Sequence, residues 1–553
     1  MSHFKTWMKR GEPWVWLNAG AVAISMTMVI GLLGLLAVRG LWHFWPHPVI
    51  QSQYTADDGS KQPVLGEIHR EEWLLRNRLE AMGLEVPAGI EGRERLLVKL
   101  GNRDVTGRDF SWYWSDRLEP YTWPRDAVVL ERREWGHFIG FLKAIREGDT
   151  VVAEGDAVHA ALAERLARTL GVLEKVDAIE KHEMVSLNYR LERLRLKQRK
   201  LELEKEWDAT TEADFAAERA EIQARFSELQ KDLDVLHAEV ARDTLVVVTA
   251  EGTEKQMPLA NIVKVSYPNA LTAMQRLGEF VKRFVSFLSD DPRESNTEGG
   301  IFPAIFGTVL MVLIMSIIVT PFGVVAAIYL REYAQQGWVT RIIRIAVNNL
   351  AGVPSIVYGV FGLGFFVYFL GAGIDNVFYP EAAPAPVFGT PGLLWASITL
   401  AILTVPVVIV ATEEGLARIP RSVREGSLAL GATKFETLWR VVLPMASPAM
   451  MTGLILAIAR AAGEVAPLML VGVVKLAPSL ALDGNAPFLH LERKFMHLGF
   501  HIYDVGFQSP NVEASEPIVY ATAFLLVAVI ALLNMTAIMI RNRLRERYRS
   551  LET

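Results

Sequence analysis

An arginine and a carboxylate stand where neither is expected: Arg460 and Glu464 lie in "AIARAAGEVAPLML" (457–470), inside an apolar run of membrane length at 447–474. An ionised side chain at mid-membrane costs about 2.5–3.5 kcal/mol on the mildest insertion scale, so it faces protein or water and not lipid. Four residues apart on a helix, the two share one face. The guanidinium is always charged and offers a planar fork suited to an oxyanion such as phosphate. Arg460 therefore reads as a station on an anion path, with Glu464 holding it and yielding when the anion arrives. A bracing alternative stays open, in which the charges neutralise each other and hold a helix bundle together. Gly453, Ala457 and Ala461 repeat at four-residue spacing and let a second helix approach closely. Pro467 has no N–H for the carbonyl of Gly463, which frees a backbone acceptor beside the pair, as suits a cavity wall.

Other polar residues carry less. Asn348, Asn349 and Ser355, around Pro354, are placed to line the same path by donating hydrogen bonds, or equally to glue helices together. His497 and His501 are one turn apart with His490 nearby, a spacing open to zinc. No third ligand at a diagnostic spacing and no catalytic motif accompany them, so neither a metal nor a catalytic residue is expected. No GxxxxGK[ST] phosphate loop occurs, so ATP hydrolysis requires another chain. The chain has no cysteine, which excludes a disulfide framework or thiolate metal site. Its formal charge of −5 points to no nucleic-acid partner.

The elements that must position these residues follow from the hydropathy pattern. Of 553 residues, 51% are hydrophobic yet 22% are charged, so membrane segments and a soluble part must be segregated. Six stretches reach the roughly 20 apolar residues that span a bilayer: 17–42, 301–330, 345–371, 391–411, 447–474 and 516–540. The first is too long for a secretory signal and lacks a small-x-small cleavage site, so it reads as a retained anchor. Lys5, Lys9 and Arg10 precede it. Arg331, Arg341 and Arg344 follow the second span; Arg418, Arg421, Arg424, Lys434 and Arg440 follow the fourth; Arg541, Arg543, Arg545, Arg547 and Arg549 close the chain. The loop 372–390 has no such charge and 475–515 has three, Lys475, Arg493 and Lys494. Both termini are therefore expected in the cytoplasm and residues 44–298 outside it, in the periplasm of a two-membrane bacterium.

That outer segment is expected to be an α+β domain. "DFSWYWSD" (109–116) alternates as a strand, with Phe110, Trp112 and Trp114 on one face, read as sheet core. Residues 172–242 keep apolar residues three and four apart, at Met184, Leu187, Leu191, Leu194 and Leu201 and again from Phe215 to Val240. "WDATTEAD" (207–214) interrupts them, with Thr211 and Asp214 placed to cap the second helix. The pattern predicts a coiled-coil helical hairpin on a β-rich body, its strands at "DTVVAEGDAV", "DTLVVVTAEG" and "NIVKVSYP".

Between the fourth and fifth spans, "RIPRSVREGSLALGATKFETLWRVVLP" (418–444) carries two capping-box patterns, Ser422 with Glu425 and Thr433 with Glu436. Gly431 sits where a helix must stop in a left-handed residue. Two short capped helices with a glycine hinge are expected.

Glu425-Gly426-Ser427, Gly431 six positions after the glutamate, and Val441-x-Leu443-Pro444 resemble the EAA loop of ABC-importer permeases. Over 295–540, "GGIFPAIFGT", "GVVAAIYLREY", "GVPSIVYGVFGLGFF" and "LAIARAAGEVAPLML" resemble the A-type permeases (PstA) of high-affinity phosphate importers. The resemblance implies a mainly α integral membrane protein of the type I importer kind, with 299–541 as permease domain; hydropathy and charge add residues 1–43 as cytoplasmic N-terminus and anchor and 542–553 as a basic tail. It also implies a PstC-like second permease, two PstB-like ATPase subunits that use the ATP, and a PstS-like phosphate-binding protein, with no cofactor on the chain itself. Glu425, Gly426, Ser427, Gly431, Val441, Leu443 and Pro444 would be the docking surface for the ATPase. Permeases for sulfate or molybdate share the EAA loop. A membrane-anchored sensor is a different class and predicts a cytoplasmic signalling domain, where only "RNRLRERYRSLET" follows the last span; a coiled-coil scaffold would need no charge inside the fifth.

Overall fold

The computed structural model describes residues 7–8, 11–84, 91–293, 296–509 and 512–548; the charges at Lys5, Lys9, Arg10 and Arg549 lie outside the described residues. The chain forms two compact units, one of Met1–His43, Ile301–Tyr379 and Pro384–Thr553, the other of Phe44–Gly300 with Pro380–Ala383. Among the described residues six helices are long and apolar enough to cross a membrane: Trp14–Trp42, Phe302–Tyr333, Ser355–Phe378, Leu393–Arg418, Lys434–Gly463 and Ser515–Glu546. The first belongs to helix α1 (Glu12–Trp42).

The unit 44–300 rests on two antiparallel sheets. Strands β1 (Val49–Thr55), β2 (Lys61–Leu75), β3 (Gly92–Lys99) and β4 (Phe110–Trp114) pair in sequence order. Strands β5 (Val128–Arg132), β6 (Phe138–Glu147), β7 (Thr150–Glu154), β8 (Asp243–Val248), β9 (Glu254–Pro258) and β10 (Ile262–Ser266) form a second sheet of order β10-β5-β6-β8-β9, with β7 also on β6. Leu130, Phe138, Ile145 and Leu245 of this sheet bury Val158, Leu162 and Leu166 of helix α2 (Ala157–Ala178). Their four-residue spacing makes one apolar face, so the helix starts at Ala157 and not at the expected 172.

A π turn at Ile179–Met184 carries α2 into α3 (Val185–Glu204), and residues 205–208 turn the chain into α4 (Ala209–Val240). Leu187, Ile222 and Leu229 are buried together, and Arg225 reaches Glu183 at 2.8 Å. The cap on α4 differs from expectation: Asp208 accepts from the Thr211 N–H at 2.8 Å and its hydroxyl at 2.6 Å. An aspartate three residues upstream makes Thr211 a donor inside the first turn and leaves Asp214 no capping role. At the base, buried Asp243 accepts Arg165 at 2.5 Å and also pairs with Arg168. Strand β4 corrects another expectation. Tyr113 joins the cluster of Val64, Leu96 and Val98, while Arg95 and Arg93 lie 4.0 and 4.4 Å over Trp112 and Trp114. The tryptophan face is half-buried beneath arginines supplied by β3, a cation–π surface and not a core. Helix α5 (Ala273–Ser289) closes the unit and opens with a full capping box between Thr272 and Gln275.

The other unit is helical. It runs α6 (Phe302–Ile328, prolonged by a π turn to Tyr333), α7 (Trp338–Leu350), α8 (Ser355–Phe361, prolonged to Phe378), α9 (Leu393–Arg418), α10 (Arg421–Ala429), α11 (Lys434–Thr437), α12 (Leu443–Gly463), α13 (Leu468–Val471), α14 (Leu498–Phe507) and α15 (Val512–Tyr548). Helix α9 is central, with Leu393, Trp395, Leu400, Val408 and Leu416 all buried along its length. Its Leu400 and Leu403 share a core with Met311, Met315 and Val319 of α6 and Ala457 and Ala461 of α12. The small-residue stripe of α12 lies against α9: a Cβ at Gly453 would stand 2.7 Å from that of Ala411. At the start of α6, the Thr308 hydroxyl accepts the Leu498 N–H at 2.9 Å and so holds the loop before α14.

Two spans depart from the hydropathy reading. The third starts at Ser355 and not 345, because Trp338–Leu350 is a separate amphipathic helix and Pro354, at ψ 133°, breaks the run. The fifth runs 434–463 and not 447–474. Its start is the second connector helix, which continues through a π turn at Leu438–Val442 up to Pro444, where the chain lacks an N–H donor. The two connector helices are thus one short helix and the head of a span.

Candidate functional site

The connector 418–444 takes its shape from Pro420, Gly431 and the Thr433–Glu436 pair. Pro420 starts α10, so Ser422 lies inside the first turn and forms no cap; the expected first capping box is absent. Gly431, at φ 88°, ends the helix: its N–H donates to the Leu428 carbonyl at 3.0 Å, and that of Ala432 to the Ser427 carbonyl at 3.3 Å. This pairing is the Schellman motif, which needs a left-handed residue at that point. Thr433 and Glu436 then form the second capping box as expected.

Each half is fastened to the end of α6. Arg424 donates to Glu332 at 3.0 Å and to the carbonyls of Ile419 and Leu416 at 2.8 Å. Lys434 donates to the Glu332 carbonyl at 2.5 Å and lies 4.4 Å from the Tyr333 ring centre. Ser427 and Thr437 join the halves at 2.9 Å. The inner face buries Leu416, Ile419, Leu438 and Val442. The outer face leaves Glu425 and Gly426 exposed beside Leu428, Leu430, Phe435 and Trp439, with Leu430 91% exposed and the Phe435 and Trp439 rings stacked. Val441, Leu443 and Pro444 are half-buried at the root. A rigid, capped loop that holds four large apolar side chains in solvent has the character of a binding surface.

The charged pair lies at the far end of the same span. Helix α12 ends at Gly463, and Glu464 has left the helix, at ψ 131°. The shared helix face expected for the pair is therefore replaced by a carboxylate on the unwound segment 464–467, which turns back to bring Oε1 within 3.6 Å of Arg460 Nε. Pro467, with no N–H, stands at the head of α13. The Arg460 and Glu464 side chains are 34% and 21% exposed, and Arg460 Nε is buried without a hydrogen-bond partner among the described residues. The site is thus a partly open guanidinium with donor capacity to spare. Helix α8 closes on the unwound segment: a Cβ at Gly359 would stand 2.7 Å from Pro467 Cα. Its neighbour Tyr358 donates to the Leu350 carbonyl at 2.7 Å and lies within electrostatic reach of Arg460.

The remaining candidates scatter. Asn348 and Asn349 are exposed in the last turn of α7, and Ser355 is half-buried at the head of α8. Among the described residues no hydrogen bond joins them to Arg460 or Glu464. His490 lies between Asp483 at 3.1 Å and Glu492 at 3.0 Å. Burial would raise the Asp483 carboxyl, but the Asn485 amide and the Arg493 guanidinium hold it at about 2. His497 and His501 are buried in the loop and the start of α14, where burial pushes them down to about 3 and about 4. Among the described residues no three metal-ligating side chains converge.

Other charged groups escaped the reading of the sequence. Lys475 pairs with buried Asp504 at 3.2 Å, one turn from His501. Arg418, Arg541 and Arg545 line a cavity of about 570 Å³ at the root of the connector, with Ile419, Val423 and Met445 as its apolar wall. These arginines had served only as markers of orientation, and their convergence needed the packing of α15.

Residues 319–550 match the family described as "Binding-protein-dependent transport system inner membrane component". The probable ABC transporter permease protein YqgH of Bacillus subtilis is 33% identical over 202 residues, 36% of this chain and 61% of that protein. The phosphate transport system permease protein PstA 1 of Mycobacterium tuberculosis is 32% identical over 246 residues, 44% of this chain and 71% of that protein. The phosphate transport system permease protein PstC of Xylella fastidiosa is 33% identical over 200 residues, 34% of this chain and 61% of that protein. The chain thus spans between three-fifths and about seven-tenths of these relatives, and the unit 44–300 lies outside the family match.

Proposed function

Because the chain belongs to the family of binding-protein-dependent transport system inner membrane components, we propose that it is a permease subunit of an ATP-driven phosphate importer. The observation that carries the reading is the connector, whose exposed crest of Leu428, Leu430, Phe435 and Trp439 is held rigid by Gly431 and the Glu332 clamp. That crest, with Glu425, Gly426 and Ser427 beside it, docks a separate ATPase chain; this chain is no enzyme and carries no cofactor. The names of relatives support phosphate, and Arg460 supplies the chemistry, since a half-open guanidinium suits an oxyanion.

In this reading half of the path runs past Arg460 and Glu464, with Asn348, Asn349 and Ser355 on its wall. A PstC-like permease supplies the other half, two PstB-like ATPases drive it and a PstS-like protein delivers phosphate. The termini and connector lie in the cytoplasm, and residues 44–298 lie outside it. Helices α3 and α4 act there as a coiled-coil hairpin. The test is purification of the detergent-solubilised complex from its native membrane, followed by labelled-phosphate uptake in vesicles. An ATPase and a second permease are expected to co-purify, and excess sulfate or molybdate should not compete. Isolation without an ATPase, or uptake displaced by sulfate, would sink the reading.

A further inference from the structure

We propose that α5 is a membrane-surface helix, by which the unit 44–300 lies on the lipid headgroups beside the two points where its chain enters the bilayer. The first observation is a helix with more apolar surface than its own unit covers. Met274, Leu277, Val281 and Val285 recur at three- and four-residue spacing and are 78%, 49%, 50% and 53% exposed. The adjoining strip, Phe280, Phe284 and Phe287, is occupied: Phe44 contacts Phe284 and Phe287 at ring distances of 5.4 and 5.0 Å, and Trp45 contacts Phe280 at 6.1 Å. The rest of the circumference carries Arg276, Glu279, Lys282 and Arg283, three cations against one carboxylate, and Glu279 is paired with Lys264 and Arg283. An apolar stripe flanked by cations, on a helix with its own capping box, is the pattern that settles in an interface with anionic lipid.

The second observation is independent and fixes the occupant. Phe44, packed on α5, is two residues beyond Trp42, where the first span ends. At the other end, the Gly300 N–H donates to the Asp291 carbonyl at 3.1 Å, and a Cβ on Gly300 would stand 2.3 Å from the Asp290 carbonyl oxygen. Gly300 is two residues before Phe302, where the second span begins. The C-terminal half of α5 is therefore fastened, by contacts within its own unit, to both chain positions that must be at the membrane surface. A protein partner would have to displace lipid that chain connection already places there.

The chain has no cysteine, so single cysteines report cleanly in the full-length protein. Val281→Cys on the stripe and Lys282→Cys on the polar side would each carry an environment-sensitive fluorophore, in nanodiscs of phosphatidylethanolamine and phosphatidylglycerol. Brominated lipid is expected to quench the label at 281 at least about twice as strongly as that at 282, and aqueous iodide to do the reverse. Equal access of iodide to both positions overturns the proposal by showing a free face. Protection of 281 from iodide and from brominated lipid alike overturns it too, by showing that protein covers the stripe. Recovery of labelled protein in the discs establishes that the spans are inserted, so these outcomes bear on α5 and not on transport.

Discussion

At the scale of single residues, the Arg460–Glu464 pair carries little stability. An ion pair one-third exposed at 3.6 Å is worth about 0–1 kcal/mol, and Arg460 stands three residues from the end of its span, not at its middle. A brace worth so little leaves the half-open guanidinium free for the anion path proposed for it. Arg460→Gln is expected to lower phosphate uptake at least about tenfold, with membrane abundance within about twofold of the parent, since little stability rests on the pair. Arg460→Lys should keep only part of the activity. Uptake should also fall in Glu464→Gln, as the unpaired guanidinium grips phosphate. If the double variant Arg460→Gln/Glu464→Gln recovers uptake, scored apart from abundance, the pair is a brace. The arginine was legible as a charge within an apolar run, but its place at the end of a span was not, because the run continues to 474. The unwound backbone at Glu464 was legible only in part, through Pro467, because four-residue spacing suggests a continuous helix.

His501 gives the same scale a pH dependence. Burial lowers its folded-state pKa from 6.5 to about 4. As pH falls below 6.5 the unfolded chain takes up a proton that the folded chain refuses, so stability present at neutral pH is lost between about 6.5 and 4. The shift corresponds to about 3 kcal/mol. The apparent melting temperature of the purified protein should drop across that window, and His501→Gln, which takes up no proton, should drop distinctly less. An unchanged pH slope in the variant would place the acid sensitivity elsewhere.

Among elements, the connector turns on one backbone angle, that of Gly431. Valine at φ 88° costs about 1–3 kcal/mol and breaks the Schellman turn that sets α10 against the following span. Gly431→Val should therefore reach the membrane at ordinary levels yet retain less than about one-fifth of the co-purifying ATPase, whereas Gly431→Asn, which tolerates the left-handed region, should keep most of it. Normal ATPase recovery with valine would argue against the docking role. The turn was legible because glycine has few reasons to stand between two helical patterns. The Ser422 box misled because Pro420 starts the helix two residues too early for it. The separate second helix misled because a π turn at Leu438–Val442 lets the chain run through Pro444 without stopping.

For the whole molecule, the segregation of charge and apolar residues announced a helical unit and an inserted α+β one. The order of the six-stranded sheet was not readable. Its strand β6 pairs with β8 across a helical excursion from Ala157 to Val240, and such long-range pairing leaves no local trace. The tryptophans of β4 misled because alternation identifies two faces without saying which one neighbouring strands will bury. The attachment of α6 at both ends has a mechanical consequence. Glu332 grips Arg424 and Lys434 at one end, and Thr308 holds the Leu498 amide at the other. The 32 residues between Phe302 and Tyr333 make a rod of roughly 48 Å at 1.5 Å per residue. A hydrogen-bonded rod does not shorten appreciably. Axial thrust delivered at the connector must therefore emerge as motion of the loop before α14, or be taken up by flexure at Pro321, where a backbone hydrogen bond is missing, or at the π turn Tyr329–Tyr333.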